Sequence, residues 1–145
     1  MAARANEYAR LVIARPFEDV LGTLYQMLGS QGHRSQLGQY FTPPHVADVM
    51  AAIAASDLLA GQAEAGTNGR LLRMCEPSCG SGALVLGFLR TLIERGGRDG
   101  PRRWSITAID IDPLCARICA AQVLANAFLG QIELGELLGC MPATL

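Results

Sequence analysis

A short stretch near the middle of the chain combines acidic, small and glycine residues in an order that suits ligand binding. Its residues are Glu76-Pro77-Ser78-Cys79-Gly80-Ser81-Gly82. Proline cannot continue a central strand, and glycine allows a sharp turn and a close approach because it has no Cβ. The amides of a following helix would point back at this turn. The stretch therefore predicts a ligand-binding turn at the carboxyl end of a parallel strand, where open α/β sheets bind their ligands.

A second acidic position follows another predicted strand. The run Ile106-Thr107-Ala108-Ile109 predicts a strand that ends in acids, the first of which is Asp110. A carboxylate in this place can accept hydrogen bonds from both hydroxyls of a ribose, as in dinucleotide sites. Asp110 follows Gly80 by thirty residues, whereas the dinucleotide fingerprint places its acid about 20 residues on.

Several kinds of glycine turn can be compared with residues 76–82. A phosphate-binding P-loop needs lysine and then serine or threonine after its last glycine, and this turn contains no lysine. The dinucleotide fingerprint needs a third glycine where Val85 stands, which weakens that interpretation without excluding it. A plain helix-capping glycine turn also stays open.

Hydrophobic periodicity places the elements on either side of the turn. A strand is predicted over Leu71, Leu72, Met74 and Cys75, and a helix with one apolar face over Leu84, Phe88 and Leu92. Asp112 and Pro113 predict the start of the next helix. Its inward-facing residues are predicted to be Leu114, Ile118, Ala121 and Leu124. Residues 131–138 predict a third strand and the turn beyond it.

The first part of the chain predicts helices. One spans Ala2 to Arg15, and Pro16 is expected to open a second at its first position. The second has a single apolar face formed by Phe17, Val20, Leu21, Leu24, Tyr25 and Leu28. We expect these helices to cover one side of the sheet, with partner binding as the alternative.

A further helix is predicted after Thr42, because threonine caps a helix and the two prolines that follow tolerate its first turn. Its core-facing residues are predicted to be Val46, Val49, Met50 and Ile53. We predict a helical segment over residues 1–37 and a ligand-binding domain over residues 38–145.

Composition limits the class of protein. The 145 residues carry a net charge of −1, and half of them are hydrophobic. Such a chain can bury a core, but it lacks the basic surface of a domain that grips DNA alone. We find no signal peptide and no membrane-length apolar run in the sequence, so we expect a cytoplasmic protein that does not interact with membranes.

The cysteines and arginines have plain structural interpretations. Five cysteines without an export signal predict reduced thiols. The pairs Cys75/Cys79 and Cys115/Cys119 lie on different kinds of element, so we expect small buried apolar residues and no metal site. The basic loop over residues 95–103 is predicted to be a solvated surface, with contact to DNA phosphates as the alternative.

Two segments resemble the adenine-N6-specific DNA methyltransferase family, which includes the modification subunits of type I restriction-modification systems. Residues 76–82 are similar to its acid-Pro-x-Cys-Gly-Ser-Gly cofactor turn. Before that turn, the family has a segment similar to Gly38-Gln39-Tyr40-Phe41-Thr42-Pro43-Pro44, followed here by Val46-Ala47 and Met50. The resemblance implies a Rossmann-like class I methyltransferase α/β sheet, whole or truncated, with N-terminal helices.

The resemblance also implies that the chain binds S-adenosylmethionine, and it assigns roles to matching residues. The methionine moiety would be held by Gln39, Tyr40, Phe41, Thr42 and Pro43, together with Glu76, Pro77, Ser78, Cys79, Gly80 and Gly82. Asp110 would bind the ribose. The adenine would lie against Ile111 and Leu137, and Glu136 would receive its exocyclic amine. A solvent-facing glutamate remains the alternative for Glu136.

The family's catalytic tetrapeptide, Asn/Asp-Pro-Pro-Tyr/Phe, does not occur in these 145 residues. The resemblance thus covers only the cofactor half of an enzyme that methylates adenine in DNA, and no catalytic residue is assigned. We expect DNA to be reached through other sequence or a partner chain, such as a methyltransferase or restriction subunit, and an exposed sheet edge would favour self-association. The alternatives are a non-catalytic regulator of a full-length subunit, and methylation of a protein glutamine or a small molecule.

Overall fold

The sheet is built from three strands, β1 (Leu72–Glu76), β2 (Trp104–Ala108) and β3 (Glu136–Leu138). They belong to a computed structural model that describes residues 2–28, 42–43, 45–54 and 70–139. The strands pair in parallel in the order β1-β2-β3. Parallel neighbours need a crossover connection, and helices provide both crossovers here. This mixture of helices with a small parallel sheet confirms the predicted α/β class and is compatible with a truncated sheet of the predicted kind.

Two helices connect the strands, α4 (Ala83–Gly96) between β1 and β2, and α5 (Pro113–Gly130) between β2 and β3. Both begin where the sequence predicts. The Asp112 carboxylate caps α5 by accepting a hydrogen bond of 2.8 Å from the Leu114 amide, and Pro113 occupies the first turn. A short 3₁₀ turn, Pro101–Arg103, leads into β2.

The core lies between α4, α5 and one face of the sheet. The rings of Phe88 and Trp104 pack edge to face with centroids 4.9 Å apart, an arrangement that aromatic pairs prefer. The cluster around them is formed by Val85, Leu86, Leu89, Leu92, Ile106, Ala108, Cys119 and Val123. On the opposite face, Arg73 and Cys75 are exposed. Within the described residues, the helices therefore cover one face of the sheet.

Two further helices, α1 (Ala2–Ala14) and α2 (Val20–Leu28), pack on α5. The prediction that Pro16 opens the second helix is wrong. Phe17 has a left-handed φ of 61°, and Asp19 caps α2 by accepting a hydrogen bond of 2.8 Å from the Gly22 amide. The predicted apolar face of α2 is buried only in part, since Leu24 and Leu28 are exposed.

A third helix, α3 (His45–Ala54), follows Thr42 as predicted. Its first hydrogen bonds run from Val46 and Ala47 to the Pro43 carbonyl, so Pro43, and not the predicted Thr42, supplies the first carbonyl of the helix. The core-facing residues were predicted wrongly: Val46, Val49, Met50 and Ile53 are exposed, and Ala47 and Ala51 are buried. A Cβ added to Gly87 of α4 would lie 3.5 Å from Ala51 Cβ. Small residues therefore form the contact between the two helices.

The buried face of α5 also differs from the prediction. Leu114, Ala121 and Leu124 are exposed, and Ile118 is half-buried. The buried residues are Cys115, Ala116, Cys119, Gln122, Val123, Asn126 and Ala127. Small and amide side chains therefore form the contact face, while larger apolar ones point outward.

By length and apolar composition alone, α5 would pass as a membrane-spanning helix. Its contacts are those of a core helix, however. It connects two paired strands, and its buried amides Gln122 and Asn126 accept hydrogen bonds from the Leu21 and Phe17 backbone amides.

The third strand starts later than predicted. Gly135 passes so close to β2 that an added Cβ would lie 2.6 Å from the Trp104 carbonyl oxygen, and pairing begins only at Glu136. Glu136 is therefore the first residue of β3, opposite Ser105, and does not lie in the turn beyond the strand.

Gly82 is a position where an added methyl group should be costly. Its φ is 105°, and an added Cβ would lie 2.9 Å from Cys119 Sγ and 3.2 Å from Cys119 Cα. We expect Gly82→Ala to lower the free energy of unfolding by about 2–4 kcal/mol, measured by urea denaturation. Gly96→Ala is the matched control, because a Cβ at Gly96 meets no atom of the described residues within 4 Å. Equal stability of the two variants would contradict this account.

Candidate functional site

The turn that follows β1 lies at the carboxyl end of the sheet, as predicted. The β1–β2 pairing continues past both strands, because the Ile109 amide donates to the Glu76 carbonyl and the Cys79 amide donates to the Ile109 carbonyl, each at 2.8 Å. Gly80 and Gly82 then adopt positive φ values of 54° and 105°. The chain enters α4 directly from this turn.

Asp110 joins this turn to the loop after β2. Its Oδ2 accepts a hydrogen bond of 2.7 Å from the Gly80 amide, and its Oδ1 accepts one of 2.8 Å from the Asp112 amide. The side chain is 8% exposed. A carboxylate has about four lone-pair positions, so two backbone bonds leave acceptor capacity for a ligand.

Glu76 is the other acid at this edge. Its Oε1 accepts hydrogen bonds from the Ser78 amide at 3.1 Å and from the Ser78 hydroxyl at 3.3 Å. Pro77 and Ser78 are exposed, and Ile111 is 67% exposed. The structure thus brings residues 76–82 together with Asp110 and Ile111 around one open edge.

An open cleft of about 240 Å³ adjoins the start of α4. Its lining includes Thr42 and Ala83. Thr42 is the first described residue of the segment over residues 38–50, and it therefore lies near the helix that follows the turn. Glu18, Asp19 and Asp48 bring carboxylates to the cleft, and Arg90 pairs with Asp48. Gln39, Tyr40 and Phe41 lie outside the described residues.

Glu136 and Leu137 are not part of this group. The Glu136 carboxylate accepts a hydrogen bond of 2.6 Å from the Ser105 hydroxyl, near the beginning of β2. Leu137 pairs with Ile106 and packs against the core. Both residues would have to lie at the carboxyl end of the strands to make the predicted contacts with the adenine.

Two arginines of the basic loop have partners within the chain. The Arg98 guanidinium donates to the carbonyls of Gly130 and Gln131 at the end of α5, and Arg102 lies 3.5 Å from the Glu133 carboxylate. Cations are favourable at a helix C-terminus. These contacts favour the predicted surface role of the loop.

Sequence reasoning missed a polar cluster behind the turn, formed by Asp19, Ser81 and Gln122. Asp19 precedes a helix and Gln122 lies within one, so each has an ordinary interpretation when considered alone. Only the packing of α2 and α5 against the turn brings the three together.

The cysteines near the turn differ in burial. Cys79, Cys115 and Cys119 are buried as predicted, whereas Cys75 is exposed. A hydrogen bond from the Cys119 thiol lowers the pKa of Cys79. Burial, with the Asp112 carboxylate nearby, raises the pKa of Cys115 to about 12.

A family model described as N-6 DNA Methylase matches residues 17–137. The match begins between α1 and α2, includes the turn and Asp110, and ends within β3. No curated protein matches the chain.

Replacing Asp110 should destabilise the fold. In Asp110→Asn one oxygen is exchanged for an NH₂ group, which cannot accept the bond from a backbone amide. We expect the free energy of unfolding to fall by about 1–3 kcal/mol, measured by urea denaturation. Asp99→Asn, in the exposed turn after α4, should change it by less than about 0.5 kcal/mol. An Asp110→Asn variant as stable as the Asp99 control would refute the bridging role.

The Cys115 thiol should make stability fall at alkaline pH. In the unfolded chain it loses its proton near the ordinary pKa of 9.0, whereas the folded chain keeps it until about 12. Between these values the unfolded state binds fewer protons, so the free energy of unfolding decreases as the pH rises. Urea denaturation at a series of pH values from 9.0 upward should show a shallower decrease for Cys115→Ala than for wild type.

The control for this series is Cys75→Ala, which removes an exposed thiol whose surroundings change little on unfolding. Its decrease should match that of the wild type. Parallel curves for wild type and Cys115→Ala would show that the buried thiol does not contribute.

Proposed function

Because the chain belongs to the N-6 DNA methylase family, we propose that it binds S-adenosylmethionine at the turn between β1 and α4. The family suggests a DNA methyltransferase function. The observation that carries the proposal is the Asp110 bridge, which holds the Gly80 amide and the loop after β2 at one edge of the sheet. A ligand with a methionine part and a nucleoside part needs contacts from both of these loops.

The residues at this edge suit the groups of S-adenosylmethionine. Gly80 and Gly82 allow close approach of the backbone, because neither carries a Cβ. The Glu76 carboxylate would receive the ammonium group, the remaining lone pairs of Asp110 would accept the ribose hydroxyls, and Ile111 would lie against the adenine. When bound, the cofactor supplies a methyl group on a sulfonium that an amine can attack.

We propose that the methionine end of the cofactor lies in the cleft beside α4. Thr42 and Ala83 both line it. We assign Thr42 and Pro43 to this end, with Gln39, Tyr40 and Phe41 as neighbours in sequence. Glu136 and Leu137 are left out of the proposed pocket, because they lie in β3 away from the edge.

The acceptor that we propose is the N6 amine of adenine in DNA. Enzymes that modify a base in a duplex flip it into a pocket and hold its edge. Because these 145 residues contain no Asn/Asp-Pro-Pro-Tyr/Phe tetrapeptide, we assign that pocket to other sequence or to a partner chain in a cytoplasmic restriction-modification system. The net charge of −1 supports the same division, since phosphate contacts need an excess of basic residues.

The near-neutral charge of these 145 residues also supports a second candidate function. A chain that binds the cofactor without completing the target pocket could act as a non-catalytic partner of a full-length methyltransferase. Methyl incorporation into adenine-containing DNA, measured with the chain bound to a partner that completes the target pocket, separates the two. Incorporation that is lost in Glu76→Gln would establish the enzyme, and incorporation that survives this change would favour the partner role.

Calorimetric titration of S-adenosylmethionine into the purified chain tests the proposed site. We expect a dissociation constant in the micromolar range. Glu76→Gln should raise this constant about tenfold or more, because a charged hydrogen bond contributes about 1.5–3 kcal/mol. Glu94→Gln, an exposed change on α4 outside the cleft, is the control and should bind like wild type. A folded wild-type chain that binds no S-adenosylmethionine would overturn the proposal.

A further inference from the structure

The connection between α1 and α2 and the first turn of α2 are anchored to α5 by two buried amide side chains. The Phe17 amide donates to Asn126 Oδ1 at 2.6 Å, and the Leu21 amide donates to Gln122 Oε1 at 2.9 Å. Gln122 and Asn126 are almost completely buried. Because unpaired buried amides are costly, these bonds fix the connection firmly on α5.

The backbone at Phe17 adopts a conformation that needs such support. Its φ of 61° lies in the left-handed region, which is unfavourable for a bulky residue. The buried Phe17 ring and the bond to Asn126 hold it there. Conformations of this kind persist where the surroundings determine them, often near functional sites.

Asp19, two residues on, contacts the glycine turn directly. Its Oδ2 accepts a hydrogen bond of 2.5 Å from the Ser81 hydroxyl, and its Oδ1 accepts one of 2.7 Å from Gln122 Nε2. The same Gln122 Nε2 donates to the Ser81 carbonyl at 2.9 Å. We call Asp19, Ser81 and Gln122 the turn clamp.

The turn clamp acts on the least regular part of the turn. Ser81 stands between Gly80 and Gly82, which both have positive φ. Glycine can adopt many backbone conformations, so these two residues do not fix the turn by themselves. The clamp holds Ser81 by its side chain and by its carbonyl. It thereby fixes the peptide groups on both sides of Ser81 before any ligand arrives.

We propose that Asp19 is a positioning residue, which orients the glycine turn for S-adenosylmethionine by holding Ser81. This inference rests on the proposed function of the turn. Asp19 also lines the cleft that contains Thr42 and Ala83, so the segment before α2 forms part of the site. Pre-organising a loop in its binding conformation raises affinity because less freedom is lost on binding.

A double-mutant cycle with Asp19→Asn and Ser81→Ala tests this, with S-adenosylmethionine as the titrant. If Asp19 acts through Ser81, each single change weakens binding about tenfold, and the double variant binds no more weakly than the weaker single one. Thermal denaturation identifies a temperature at which each variant is folded, and binding is measured there. If Asp19→Asn does not fold, the test is made with Ser81→Ala alone, whose affinity for S-adenosylmethionine should still fall about tenfold.

Asn126→Ala is the matched control. It loosens the same connection at Phe17 but leaves the bonds to Ser81 in place, so we expect lower stability and wild-type affinity. Hydrogen exchange at the Ser81 and Gly82 amides gives a second readout, which should speed up in Asp19→Asn and not in Asn126→Ala.

The outcomes separate this inference from the proposed function. If wild type binds and the Asp19 and Ser81 variants bind equally well, the positioning role is overturned while the cofactor site stands. Equal losses in Asp19→Asn and Asn126→Ala would also overturn it, because general loosening would then explain both. If folded wild type binds nothing, the proposed function fails and this inference fails with it.

Discussion

The hydrogen bond from the Gly80 amide to the Asp110 carboxylate is the contact on which the candidate site depends. The pairing of β1 with β2 ends at Cys79, and β2 places an acid beside the next residue because the two strands run in parallel and in register. Asp110 also accepts a bond from Asp112, and Asp112 caps α5. One carboxylate therefore sets both the conformation of the turn and the direction in which α5 leaves the sheet.

Helix α5 also contacts the same turn. Through Gln122 the helix reaches Ser81 and Asp19, so the turn is held from the Asp110 side and from the α2 side. The contacts form a closed path from turn to sheet, from sheet to helix, and back to the turn. Buried polar contacts need matching partners, and this specifies one arrangement more strictly than apolar packing does.

The parts of the fold that depend on local chemistry could be predicted from the sequence. Pro77 ends β1, the glycines form the turn, and Asp112 with Pro113 starts α5, because each of these effects involves residues close together in the chain. The buried faces of α3 and α5 could not be predicted from hydrophobicity. There the helices approach through Ala47, Ala51 and Cys119, so the size of a side chain decided its burial. The late start of β3 and the partners of Gln122 depend on contacts between distant segments, which periodicity does not reveal.

The turn clamp has a consequence for how this chain can change over generations. Its three residues are separated by 41, 62 and 103 positions in sequence, yet each completes the bonding of the other two. A substitution at one leaves a buried donor or acceptor of its neighbours without a partner, and a second substitution elsewhere must then restore it. The three positions are thus constrained to evolve as one unit, and sequences that diverge here should change them together.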